Sequence, residues 1–155
     1  MAIKTRFFII SDTHGQIFDI KEEQRADVVI HCGDLTDESQ IEEFRTTIHL
    51  LRQLPAPLKL VISGNHDLTL EEPTFKKKIS EASQPIEPDL VEKDFGSFGE
   101  PRRLYEEAKD AGITYIPRRR QLRVRFTEWR PLASLCESLH TFVRRWGFSI
   151  PAWRR

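Results

Sequence analysis

Three short stretches of this sequence carry side chains that bond metals and move protons better than they pack. They are "SDTHG" at 11–15, "CGDLTD" at 32–37 and "SGNHD" at 63–67. In the first, Asp12 and His14 stand two residues apart just after an apolar run, so both can point into one cavity. In the second, Asp34 follows Gly33, which lets the backbone turn tightly and frees the carboxylate. In the third, Asn65 offers a neutral amide oxygen, and His66 and Asp67 follow it. Carboxylates, imidazoles and an amide oxygen suit hard or borderline divalent cations such as Mn, Fe, Zn or Mg. No thiolate cluster is present, which argues against zinc-finger and iron–sulfur sites.

Each stretch needs an element to carry it. "RFFIIS", "DVVIHCG" and "LKLVISG" are continuous apolar runs rich in β-formers, which suits strands covered on both faces. Each ends in one of the three polar loops. Between the second and third runs, Ile41, Phe44, Ile48 and Leu51 recur at helical spacing, with Thr36 or Asp37 as a cap and Pro55 past the end. "EPRRLYEEAKDAG" predicts a second helix, with Pro101 near its start and Gly112 just past its end. "ITYI" predicts a fourth strand. Residues 71–99, with Pro73, Pro85, Pro88 and a "KKK" run, read as a surface excursion holding at most a short helix. The strand–helix alternation is that of an α/β fold, in which sites form outside the carboxyl ends of the strands.

The bland readings differ from residue to residue. Asp and Asn are common loop caps, and that is the alternative for Asp12, His14, Asp34 and Asn65 taken one at a time. For His66 it is a surface histidine, and for Asp67 a helix N-cap. Thr36 and Asp37 read as caps, His31 as a structural residue at a strand end, and Cys32 as a small buried side chain.

Taken together, "DTH", "GD" and "GNHD", in this order after three expected strands, resemble the motifs of the calcineurin-like metallophosphoesterases. The resemblance covers roughly residues 5–116. The wider spellings "RFFIISDTH", "VVIHCGDLTD" and "LVISGNHD" look most like the branch containing the MPPED-type phosphodiesterases. It implies an α/β fold, a partial phosphoesterase sandwich of βαβ units with a mixed sheet. It also implies a hydrolase of phosphomonoesters or phosphodiesters with two divalent metals. By that resemblance Asp12 and His14 hold one metal, Asn65 holds the second, and Asp34 bridges both. A dinuclear-metal-bound hydroxide attacks phosphorus in line. His66 donates a proton to the leaving oxygen, and Asp67 fixes the His66 tautomer.

The chain is 155 residues long and formally neutral, but the charge is unevenly placed. Residues 1–116 hold 14 basic and 22 acidic side chains, about −8. Residues 117–155 hold ten Arg against Glu128 and Glu137, about +8. All eight Lys precede Pro117 and all three Trp follow it. Such a break suggests either a divergent, genuine C-terminus or, the better fit to the swap in composition, a change of reading frame or a retained intron after about Ile116. Another frame beyond that codon is then expected to carry the late histidines of the family. In this chain only His140 follows Gly112, so the second metal site is expected to be incomplete.

The division is therefore 1–116, the N-terminal part of a metallophosphoesterase domain, and 117–155, an Arg/Trp-rich tail that is not native family sequence. "PLASLCESLHTFVRRWG" in that tail can be written as an amphipathic helix. The expected chain is truncated, and weakly active or inactive. The rival readings are a non-catalytic metal- or partner-binding remnant and a nucleic-acid-binding protein using the tail. Arg118, Arg119 and Arg120 could meet phosphates, but no RNA-binding signature accompanies them. Two cysteines, no signal-peptide pattern and no apolar run near the ~20 residues that span a bilayer point to a cytoplasmic protein. A phosphate-ester substrate and no membrane partner are expected.

Overall fold

The computed structural model describes residues 4–21 and 25–117. The expectations for the tail helix, Arg118–Arg120, Cys136 and His140 lie outside the described residues.

Four short strands form one sheet: β1 (Phe7–Ile10), β2 (Val28–His31), β3 (Leu58–Val61) and β4 (Ile113–Tyr115). They lie side by side in chain order, every neighbouring pair parallel. The α/β architecture is as expected. The mixed character expected of the sheet is not represented among the described residues, whose strands all run the same way.

The β2–β3 crossover is α1 (Ile41–Gln53). The β3–β4 crossover holds α2 (Glu72–Ser80), α3 (Pro88–Phe95) and α4 (Glu100–Glu107), with single 3₁₀ turns at Leu68–Leu70 and Ala108–Ala111. Helices α3 and α4 both pack on α1. The register aligns Val29 with Lys59 and Ile113, and His31 with Val61 and Tyr115. Side chains two apart share a sheet face. Accordingly Val29, Val61, Ile113 and Tyr115 enter one core with Phe44, Ile48 and Leu51 of α1 and Tyr105 of α4. Lys59 falls on this buried face, and its ammonium donates to the carbonyls of Ala56 and Ala111 at 2.8 and 2.9 Å. Those bonds offset the cost of burying the charge, which lowers the lysine's pKa.

Two local expectations need correction. The start of α1 is not capped by Thr36 or Asp37; its N-cap is Gln40. The Glu43 carboxylate, in the first turn, accepts the backbone N–H groups of Asp37 and Gln40 at 2.8 and 2.9 Å, the back-bonding half of a capping box. This leaves Thr36 and Asp37 in the loop above β2. Residues 71–99 hold two helices, of nine and eight residues, where at most one short helix was expected. Pro73 and Pro88 sit in the first turns of α2 and α3, where a missing N–H costs nothing. Phe75 of α2 then packs on Phe95 and Phe98, with ring centroids 5.4 and 5.7 Å apart.

Candidate metal centre

The loops after β1, β2 and β3 leave the same edge of the sheet, as a parallel arrangement requires. The first lies on the second through three backbone bonds. Asp12, His14 and Gly15 donate to the carbonyls of Gly33, Asp34 and Leu35 at 3.0, 3.1 and 2.7 Å. The second loop meets the third at two glycines. A Cβ on Gly33 (φ 102°) would stand 2.7 Å from the Gly64 nitrogen, and one on Gly64 would stand 2.1 Å from Asp34 Oδ1. No side chain fits between these backbones, so the Asp34 carboxylate rests directly on the third loop.

Among the described residues, four that are not glycine have positive φ: Asp12 (56°), His14 (47°), Asp34 (51°) and Ser39 (67°). Each such residue costs on the order of 1–2 kcal/mol. Three of the four are expected metal ligands. The exposed Asp12 and the partly buried His14 and Asp34 each offer a ligand atom, all within 4.8 Å of one another.

The histidines are set by main-chain carbonyls of the second loop. His14 Nδ1 lies 3.1 Å from the Thr36 carbonyl oxygen, and His66 Nδ1 lies 2.6 Å from that of Asp37. A carbonyl only accepts, so both Nδ1 atoms carry the proton. The His14 Nε2 lone pair is thereby left for a metal, as a ligating histidine needs. The two rings meet edge to face with centroids 4.9 Å apart. The exposed Asp37 carboxylate stands 3.5 and 3.8 Å from the same two Nδ1 atoms. His14, Asp37 and His66 also cluster closely enough for a cation. Both imidazoles, however, turn protonated nitrogens toward Asp37, so that grouping is hydrogen-bonding rather than ligating. The trio Asp12, His14 and Asp34 fits a divalent ion better, with two carboxylates and one imidazole lone pair.

The remaining expected residues lie on the third loop. Asn65 is exposed at its tip and His66 is half-buried beside it. The His66 backbone N–H donates to Asp34 Oδ1 at 3.1 Å. Asp67, expected to orient His66, turns its carboxylate to the second loop and to Gly64, while the Asp37 carbonyl oxygen stands at His66 Nδ1. Asp67 is 1% exposed. Its carboxylate accepts the N–H groups of Leu35, Thr36 and Gly64 at 3.1, 3.0 and 2.7 Å and the Thr36 hydroxyl at 2.8 Å. It clamps the second loop to the third. Burial pushes its pKa up, and the hydrogen bonds from Gly64, Leu35 and Thr36 pull it back.

His31 is fully buried beneath the site, and burial lowers its pKa to about 4 against a small opposing pull from Asp12. A depressed histidine pKa means stability that is complete above the unfolded value near 6.5 and is lost as pH falls toward 4. The loss is about 3 kcal/mol by linkage. Urea unfolding at pH 7 and pH 4.5 is expected to show this drop, and His31→Asn to lose most of it.

A family profile for calcineurin-like phosphoesterases matches residues 5–143. The chain belongs to the calcineurin-like phosphoesterase family. The matched span passes Pro117, where the composition changes. Among curated proteins, "Metallophosphoesterase domain-containing protein 1" of Homo sapiens is 29% identical over 95% of this chain and 41% of its own length. The mouse protein of the same name matches to the same extent. "UPF0046 protein T07D4.2" of Caenorhabditis elegans is 38% identical over 53% of this chain and 20% of its own length. The chain thus spans about two fifths of the length of the first of these relatives. Among the described residues, no helix is long and apolar enough to cross a membrane.

Proposed function

We propose that this chain hydrolyses phosphate esters, diesters included, with divalent metal held by Asp12, His14, Asp34 and Asn65, and that it does so slowly. The observation that carries the reading is the convergence of three ligand side chains on strained backbone above one sheet edge. That cost is retained where a site requires it. A bound divalent pair supplies an activated water and neutralises charge on the phosphoryl oxygens. Manganese suits the oxygen-rich donor set, and the cytoplasm suits a chain with two cysteines.

The chain's own groups do the rest. The Asp37 carbonyl accepts the proton on His66 Nδ1, so a proton given to a leaving group would come from Nε2. To donate a proton to a leaving oxygen, His66 must carry a proton on Nε2 as well. The Asp37 carboxylate stands 3.8 Å from Nδ1. His66→Ala is expected to lower turnover of an aryl phosphodiester by about 10²–10⁴-fold while Mn²⁺ affinity stays within a few-fold. A His66→Ala protein that no longer binds Mn²⁺ would make His66 a ligand and overturn the assignment.

A further inference from the structure

Beneath the metal centre, both ring nitrogens of the buried His31 are engaged by the loops above. The Gly33 N–H points at His31 Nδ1 from 3.4 Å, and His31 Nε2 lies 2.9 Å from Thr13 Oγ1. An N–H only donates, so Nδ1 is the acceptor and Nε2 carries the proton. This tautomer is opposite to those of His14 and His66. The imidazole therefore spans two loops, accepting from the one that presents Asp34 and donating to the one that presents Asp12 and His14.

Thr13 is the residue between two strained neighbours, at φ 56° and 47°. Its backbone neighbours are tied to Gly33 and Asp34, and the side chain of Thr13 adds a tie to the strand beneath. The Thr13 hydroxyl on His31 supplies that tie. We propose that His31, acting through Thr13, is a positioning residue that sets the spacing of Asp12 and His14 against Asp34 and so the affinity of the first metal. The role rests on the metal-binding reading of the site.

The test is Mn²⁺ titration of the full chain, with free Mn²⁺ followed by its paramagnetic resonance signal. Thr13→Val keeps the branched shape at a half-buried loop position and removes only the hydroxyl. It is expected to weaken Mn²⁺ binding about tenfold, the size typical of losing a group that orients a ligand. His31→Leu is expected to match it, and the double variant to be no weaker than either, because both changes remove one bond. His31→Gln can still donate to Thr13, and its affinity is expected to return to within about threefold of the parent. Unchanged Mn²⁺ affinity in Thr13→Val, with only a lowered Tm, would overturn the proposal and leave His31 a core residue. Absence of Mn²⁺ binding in the parent would overturn the metal-binding reading as well. Thr13→Val decides the matter even where His31→Leu does not fold.

Discussion

Asp34→Ala is expected to abolish Mn²⁺ binding, lowering affinity by well over the roughly 10–100-fold seen when only a ligand's supporting group is lost. Asp34 is placed where three demands meet. Its ligand atom lies within 4.8 Å of those of Asp12 and His14. Its Oδ1 accepts the His66 N–H, and its backbone sits against Gly64 with no room for another atom. Two carboxylates so close repel each other when no cation is present. Removing one therefore relieves a cost in the metal-free chain while removing a ligand from the loaded one. Calorimetry should show the consequence. The metal-free Tm changes little, whereas the rise in Tm on adding Mn²⁺, present in the parent by mass action, disappears. Asp34→Asn separates charge from shape, since Asn tolerates positive φ and can still accept from His66. It is expected to bind Mn²⁺ nearly as poorly as Asp34→Ala. Parent-like Mn²⁺ affinity in either variant would remove Asp34 from the site.

Asp67→Ala is expected to be the most destabilising single change in the three loops, by about 4 kcal/mol. The side chain holds four donors with two oxygens, all in a buried setting. Truncation leaves three backbone N–H groups and one hydroxyl without that acceptor, each worth roughly 1–3 kcal/mol when stranded. Water entering the small gap recovers part of it. Asn offers one acceptor oxygen in place of two, so Asp67→Asn should fall between parent and alanine. Urea unfolding measures the series; a loss under about 1 kcal/mol for Asp67→Ala would show that the clamp contributes little.

The parts legible in the sequence were those with a direct physical signature. The strands announced themselves as apolar runs, and α1 through Ile41, Phe44, Ile48 and Leu51, all four buried; β1 departs from the expected cover on both faces, since its Phe7 and Ile9 are exposed. Asp12, His14 and Asp34 stood out because acids and an imidazole at the ends of buried strands have little to gain by packing. What stayed hidden acts through groups that every residue shares. Asp37 holds His66 by its carbonyl, and no residue type marks a carbonyl that will be used. Asp67 looked like a partner for its neighbour in sequence, yet its carboxylate reaches back thirty-two residues to Leu35. Pro73 and Pro88 argued against helices because proline ends them more often than it begins them; here each begins one. His31 carried an ambiguous signal, a polar residue closing an apolar strand.

The proposed role of these loops is to bind metal and cleave a phosphate ester. The most direct measurement is the rate of hydrolysis of bis(p-nitrophenyl) phosphate against Mn²⁺ concentration, for the parent chain and Asp34→Ala after removal of metal by chelation. A slow rate is expected in the parent, saturating at the Mn²⁺ concentration that fills the site, and none above background in Asp34→Ala. A parent chain that fills with Mn²⁺ yet turns over no faster than Asp34→Ala would contradict that role.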